Sequence, residues 1–178
     1  MNRQHQEEMT AAIRDFRLPR YEEIPNVGLY LEQAAKYINE YLLPLQEGGI
    51  TGSMISNYVK KHLVANPVKK QYDRDQIAYL LFISVVKGVL SLDNVGALLE
   101  IQKKDYPSQV AYNYFCTELE QVLQAVFGPG DGLPVLNPDA DTGKVLLHNV
   151  VITVAHKIYL EKCFSALGAE AAEVPPEA

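Results

Sequence analysis

The chain has 178 residues, of which 48% are hydrophobic and 21% are charged, and its formal net charge at pH 7 is −6. These values indicate a globular protein with one domain, or one domain and an appendage. The acidic balance argues against a general nucleic-acid binder, because affinity for a polyanion comes largely from Lys and Arg that neutralise phosphates. The polar N-terminus lacks the apolar stretch of a signal peptide, and no apolar run approaches the about 18 residues of a membrane span.

Cysteine use favours a reducing compartment. The two cysteines, Cys116 and Cys163, have no spacing typical of a metal site, and two in a chain this long suggest buried thiols. We therefore expect a cytoplasmic protein that makes no membrane contact and needs no cofactor or metal. No Ser-His-Asp, paired-carboxylate or Cys-His arrangement has a supporting context, so we also expect that the protein is not an enzyme.

The first part of the chain is predicted to contain two helices joined by an extended connector. A weak amphipathic helix is expected within residues 1–17. Prolines at 19 and 25 favour extended backbone before them, since a residue that precedes proline avoids the helical region. Asn26 is a suitable N-cap for the second helix. Its apolar residues, mostly spaced by three and four, predict one core-facing stripe: Val27, Tyr30, Leu31, Ala34, Ile38, Tyr41 and Leu42.

Two more capped helices follow. Thr51 is a suitable N-cap for a helix over residues 51–64. Asp73 followed by Gln76 matches a capping box for the next helix, which runs to about Leu90. That helix is apolar on nearly all sides, which is typical of a helix at the centre of a core.

The C-terminal half is predicted to be helical as well. Ser91 caps a short fifth helix, and a sixth helix covers residues 106–127. Residues 128–143 contain four Gly and three Pro and are predicted to be a loop. A last helix is expected over residues 144–167 and a disordered tail over 168–178. The fold class is therefore all-α, with a C-terminal helical extension.

One segment of this acidic chain is basic. Residues 57–75 contain five Lys or Arg and two Asp, a charge of +3, so the remainder of the chain sums to −9. On a helical wheel, one face of the third helix is polar. Ser and Asn can form hydrogen bonds with base edges, and Lys can reach a guanine or a phosphate. The groove-facing residues are therefore predicted to be Ser53, Ser56, Asn57 and Lys60.

A second group of residues is predicted to contact the phosphates, which position a protein without specifying a sequence. This group is Lys61, Lys69, Lys70 and Arg74. Tyr58 is added to the DNA-contact set, with a packing role as an equal alternative. The loop around residues 65–72 could form a short wing hairpin between the two helices.

These motifs resemble a known pattern. The stretches ITGSMISNYVKKHLV, NPVKKQYDRDQI and LSLDNVGALL are similar to the MerR-type winged helix-turn-helix over about residues 50–99. His62 stands where that family has a turn glycine, and Ser56-Asn57 where it commonly has Arg-Tyr. The stretch LPRYEEIPN together with the later motifs also resembles the uncharacterised bacterial family numbered 1836 among domains of unknown function, over about residues 18–127. The resemblance implies a MerR-like DNA-binding fold and brings no established activity.

Two other motifs, a histidine pair and a glycine-rich segment, do not indicate a ligand site. His148 and His156 lie eight residues apart in the last predicted helix, about 12 Å along its axis, so they cannot share one metal ion. The motif GPGDG at residues 128–132 lacks the Lys-Ser/Thr of a phosphate-binding loop and is interpreted as a turn.

We expect a transcriptional regulator that binds double-stranded DNA through the helix at residues 51–64 and acts as a homodimer. The dimer hypothesis rests on the apolar residues Val150, Val151, Ile152 and Val154. A second hypothesis is a protein-interaction module that retains the fold without binding DNA. A third is a sensor whose C-terminal helices form an apolar pocket for a small-molecule effector.

Overall fold

The computed structural model describes residues 3–45, 48–128 and 132–173, and over these the chain is mostly α-helical, as predicted. In chain order the elements are α1 (Arg3–Arg14), a 3-10 helix (Tyr21–Glu23), β1 (Leu29–Tyr30), α2 (Leu31–Leu42), α3 (Gly52–Lys60), β2 (Gln71–Tyr72), α4 (Arg74–Val86), α5 (Leu92–Asp105), α6 (Ser108–Phe127) and α7 (Thr142–Glu173). None of the described helices combines the length and the apolar character needed to cross a bilayer.

Helix α4 lies at the centre of the core, as its sequence predicts. Ten residues of this thirteen-residue helix are buried. Phe82 of α4 packs edge-on against Phe115 of α6, with ring centroids 5.0 Å apart. Phe127 of α6 packs in the same way against Tyr159 of α7 at 5.3 Å. Such aromatic pairs contribute about 0.5–1.5 kcal/mol each beyond the burial of their area, and here they join three helices.

Three predicted helix starts are confirmed. The side chains of Thr51, Asp73 and Ser91 each accept a hydrogen bond from the backbone amide three residues later, at 3.3, 2.9 and 3.2 Å. The Gln76 side chain returns the bond to the amide of Asp73 at 2.8 Å, which completes the capping box. A cap of this kind satisfies an amide that the helix itself cannot, and is worth about 1 kcal/mol.

The predicted start of the second helix is wrong. It begins at Leu31 rather than after Asn26, and the residues before it form β1. Leu29 and Tyr30 pair antiparallel with the two residues of β2, and the amide of Tyr30 donates to the side chain of Gln33 at 2.9 Å. Val27 and Tyr30 are consequently not part of a core-facing stripe, and they are 71% and 52% exposed.

The first helix lies within its predicted range, and the last helix is longer than predicted. Helix α1 packs against α6, and its residues Met9 and Ile13 are buried in the core. Helix α7 starts at Thr142, where Asp141 accepts from the amide of Lys144 at 2.9 Å, and it continues past residue 167 to Glu173. The Ala- and Glu-rich sequence favours this extension, since both residues are strong helix formers. Of the predicted tail, residues 174–178 lie outside the described part of the chain.

Candidate nucleic-acid interface

The polar residues predicted for one face of α3 do share an exposed face. Ser53, Ser56, Asn57 and Lys60 are all exposed. Ile55 lies on the opposite side and is fully buried. The Ser56 hydroxyl donates to the carbonyl of Gly52 at 2.9 Å, so its oxygen presents acceptor lone pairs to an external group.

Tyr58 does not belong to this face. Its side chain is 3% exposed and packs in the core, one helical turn after Ile55. Burial raises the pKa of its phenol, because the charged form is disfavoured in an apolar environment. The packing interpretation of Tyr58 therefore replaces the predicted contact with DNA.

The end of α3 is fixed by an unusual residue. The helix ends at Lys60, short of the predicted residue 64, and Lys61 is its exposed C-cap. His62 has φ +59, and the amides of His62 and Leu63 donate to the carbonyls of Val59 and Tyr58 at 2.9 and 3.0 Å. This is a Schellman motif, in which the left-handed position is usually glycine.

Lys69 and Lys70 occupy the tip of a tight turn, the lysine hairpin of residues 68–71. Val68 and Gln71 exchange both backbone hydrogen bonds, at 3.1 and 2.9 Å. Between them Lys69 and Lys70 have φ +51 and +65, and both are exposed. Positive φ at both central positions is the geometry of a type I′ turn, which strongly prefers Asn-Gly. Each left-handed lysine costs about 1 kcal/mol or more.

The base of the lysine hairpin is firmly attached to the protein. The buried side chain of Gln76 donates to the carbonyl of Ala65 at 2.8 Å, just before the hairpin. Strand β2 pairs with β1, which continues directly into α2. A side chain at Gly28 would approach the Cβ atom of Gln71 to 2.7 Å, so this close pairing requires glycine. The lysines are thus carried on a supported turn.

Arg74, predicted to contact phosphate, serves the protein's own structure. Its Nε donates to the carbonyl of Ile24 at 2.9 Å, and its guanidinium carbon lies 5.5 Å from the centroid of the Tyr21 ring. The Tyr21 hydroxyl in turn donates to Asp75 at 2.8 Å. Arg74 therefore fastens the connector before β1 to the start of α4, and its charge is not presented with those of the exposed lysines.

Two residues near the lysine hairpin were missed as candidates. Tyr30 lies opposite Gln71 in the sheet and is half exposed, and Val68 at the hairpin itself is 72% exposed. The spacing of Tyr30 fits a helical stripe, so only its strand pairing, which depends on distant residues, reveals its position. A tyrosine hydroxyl at this place can donate to a phosphate oxygen.

The two histidines of α7 have separate partners. His148 Nδ1 pairs with the carboxylate of Glu118, which is buried on α6. The exposed ring of His156 donates through Nδ1 to the carbonyl of Ile152 at 2.9 Å. Over the described ranges there is no group of three or more His, Cys, Asp or Glu that could hold a metal ion.

Comparison with known proteins gives one positive result. No curated protein and no solved structure matches the chain. A comparison with protein families matches residues 19–115, which include the connector, α3, the lysine hairpin and α4. Since this match covers more than half of the chain, the protein belongs to the family described as Domain of unknown function (DUF1836).

Proposed function

We propose that the protein is a DNA-binding transcriptional regulator with a MerR-like winged helix-turn-helix. Helix α3 would enter the major groove, and the lysine hairpin would serve as the wing that contacts the phosphate backbone. The observation that carries the proposal is the conformation of the hairpin tip, where two exposed lysines both have positive φ.

The hairpin tip indicates a binding role, because its two lysines do not favour the turn that they form. Asn-Gly at these positions would remove the strain and keep the turn. Strain that a fold retains at exposed residues is typical of functional sites. Two adjacent cations on a supported turn suit the backbone of a nucleic acid, since phosphate contacts position the protein on the duplex.

Helix α3 supplies the groups that would read bases. Asn57 can bond an adenine with both ends of its carboxamide, and Lys60 can donate to a guanine. Ser56 offers an acceptor, since its proton is used within the helix. Tyr30 is an additional phosphate contact beside the wing.

A second copy of the chain would supply the symmetry with which such proteins read two half-sites. Of the residues first expected to form the dimer, Val151 and Val154 are buried in the protein's own core, and Val150 and Ile152 are half-buried against it. Further along α7, Leu160, Phe164 and Leu167 are 53%, 70% and 42% exposed. Their spacing of four and three forms one apolar stripe, as in helices that pair. Light scattering that gives a monomer mass at micromolar concentration would exclude this dimer.

The main test separates the charge of the wing from its fold. Binding to a pool of random duplexes is measured as a function of salt for the wild type and for the double variant Lys69→Asn with Lys70→Gly. Each lost phosphate contact should reduce the salt slope by about 0.9, so the variant should lose about 1.8. Its stability should rise, because Asn-Gly is the preferred type I′ pair.

A matched control uses another adjacent lysine pair. Lys103 and Lys104 are exposed at the end of α5, and replacement of both by Ala should leave the salt slope unchanged. Asn57→Ala should weaken the best duplex by about 1–3 kcal/mol with no change in slope. Wild-type protein that binds no duplex at low salt contradicts the proposal.

The second candidate is a protein-interaction module with the same fold. The exposed stripe on α7 favours it, because contiguous exposed apolar residues are typical of protein contacts. A pull-down that recovers a protein partner through Leu160, Phe164 and Leu167, from protein that binds no DNA, would favour this candidate over the first.

A further inference from the structure

A cavity of about 230 Å³ lies where α4, α5, α6 and α7 meet. Its walls are almost entirely apolar and include Tyr79 and Phe82 of α4, Leu98 of α5, Phe115 of α6 and Leu147 of α7. The lining extends to Asp105 and Val110, which are exposed, so the cavity has a way to the surface.

A space of this size is unusual inside a helical core. Protein interiors are packed like organic crystals, and the few voids they contain are rarely larger than a water molecule. A buried water needs two to four polar partners, and an apolar cavity of about 150 Å³ is known to stay dry and bind benzene. If the number of ligand atoms scales with cavity volume from that case, a cavity of 230 Å³ suits a ligand of about nine non-hydrogen atoms.

The lining favours an aromatic ligand. Tyr79, Phe82, Tyr114 and Phe115 all contribute to the walls. Aromatic side chains of this kind pack edge-to-face or offset against a flat ring. The Tyr79 and Ser108 hydroxyls lie 3.1 Å apart in the wall and offer one place for a polar group of the ligand.

The charges at the rim favour a neutral ligand. Lys144 Nζ lies 3.5 Å from the carboxylate of Asp141 and 5.1 Å from the centroid of the Tyr106 ring. Lys103 Nζ lies 5.6 Å from the centroid of the Tyr79 ring in the wall and forms an ion pair with Glu100 at 3.0 Å. Both cations already have partners, so an anionic ligand would have to displace a carboxylate.

We propose that this cavity is a binding site for a neutral one- or two-ring aromatic molecule of about nine non-hydrogen atoms. The assignment does not depend on DNA binding, because none of the residues that carry it belongs to α3 or to the lysine hairpin.

Indole is a suitable probe for the full-length protein. The chain contains no tryptophan, so indole fluorescence can be excited selectively. Entry into an apolar cavity should shift its emission to shorter wavelength with one site per chain. At a free concentration of about ten times the Kd, indole should raise the unfolding midpoint by about 3–6 °C.

Ligand charge and cavity shape are tested separately. Benzamide and benzoate have nearly the same shape, and benzamide should bind at least about tenfold more tightly, a difference of 1.4 kcal/mol. Ala111→Phe should fill part of the cavity and weaken indole binding at least tenfold. Ala125→Phe, on the same helix but outside the cavity, should leave it unchanged. If Ala111→Phe does not fold, chemical-shift changes in the wild type must map to the cavity lining.

Three results would overturn the assignment. The first is the absence of any emission or midpoint shift with indole up to its solubility limit. The second is undiminished indole binding by folded Ala111→Phe, or chemical-shift changes that map elsewhere. The third is binding of benzoate that equals or exceeds that of benzamide, which would mean that the ligand is anionic.

Discussion

The carboxamide of Asn39 on α2 holds both backbone polar groups of Ile50, accepting from its amide at 2.7 Å and donating to its carbonyl at 2.9 Å. Ile50 is the residue immediately before the N-cap of α3, so this pair of bonds sets where α3 begins relative to α2. A side chain at Gly49 would collide with the same carboxamide, which explains why the turn carries glycine there.

Replacement of Asn39 by Ala should lower the free energy of unfolding by about 1–3 kcal/mol, because two part-buried backbone groups lose their partner. Asn39→Asp keeps the acceptor and loses the donor, so its free energy of unfolding should lie between those of the wild type and Asn39→Ala. Urea denaturation of the three proteins gives the order. An Asp variant no more stable than the Ala variant would contradict this order.

His62→Gly should stabilise the protein by about 0.5–1 kcal/mol, since glycine adopts positive φ without steric cost. The control is Lys61→Gly at the preceding position, where φ is −84. Glycine relieves no strain at that position. Lys61→Gly should therefore lower the stability by about the same amount, because glycine has greater freedom in the unfolded chain. Thermal unfolding of both variants measures the contrast, and equal shifts would argue against strain at His62.

The ion pair between Arg20 and Glu120 should contribute more than an ordinary surface pair. The two side chains form two parallel bonds of 2.7 and 2.6 Å, and the amide of Leu18 also donates to Glu120 at 3.0 Å. Glu120→Ala should cost about 2–3 kcal/mol and Arg20→Ala less, because Glu120 serves two donors.

The chain offers a matched control in Arg17 and Glu23, which are 56% and 44% exposed and 2.9 Å apart. Exposed pairs typically contribute about 0–1 kcal/mol. A double-mutant cycle on each pair compares them directly. A coupling energy for Arg20–Glu120 no larger than that for Arg17–Glu23 would contradict the assignment.

Stability should fall in alkaline solution because of the tyrosines. Burial, and then the hydrogen bond to Asp75, raises the pKa of Tyr21 from 10.0 to about 12. Burial also raises the pKa of Tyr72 and of Tyr112. The folded state favours the neutral phenol, so its contribution is complete below pH 10 and is lost for Tyr21 as the pH rises to about 12.

Denaturant unfolding across this pH range measures the loss, which should be shallower in Tyr21→Phe. Phenolate absorbance provides a second measurement, since the buried tyrosines should ionise only above the ordinary pKa. An unchanged slope in Tyr21→Phe would show that other tyrosines are responsible.

The features that the sequence predicts well are local ones. Thr51 and Asp73 bond amides only three residues away, so their capping role is visible in the sequence itself. The local pattern places Tyr30 in a helix, because its pairing with Gln71 depends on a residue 41 positions further along. A helical wheel places Tyr58 on the side of Ile55, away from the exposed face, so its packing role also follows from the local pattern.

A hairpin around residues 65–72 is predicted from the sequence, but the left-handed conformation of Lys69 and Lys70 within it is not. Two lysines contradict the residue preference of the turn that they form, so local propensity gives no signal. The cavity requires the relative positions of four helices, and only the apolar character of its walls is present in the sequence. At both places, the candidate sites depend on contacts or strain that single-residue preferences do not contain.

Helix α4 begins directly after the sheet that supports the lysine hairpin, and Tyr79, about 9 Å along its axis from Asp73, forms part of the cavity wall. The lysine hairpin and the cavity therefore both depend on the position of helix α4. A substitution that shifts α4 therefore changes the wall of the cavity and the support of the lysine hairpin together.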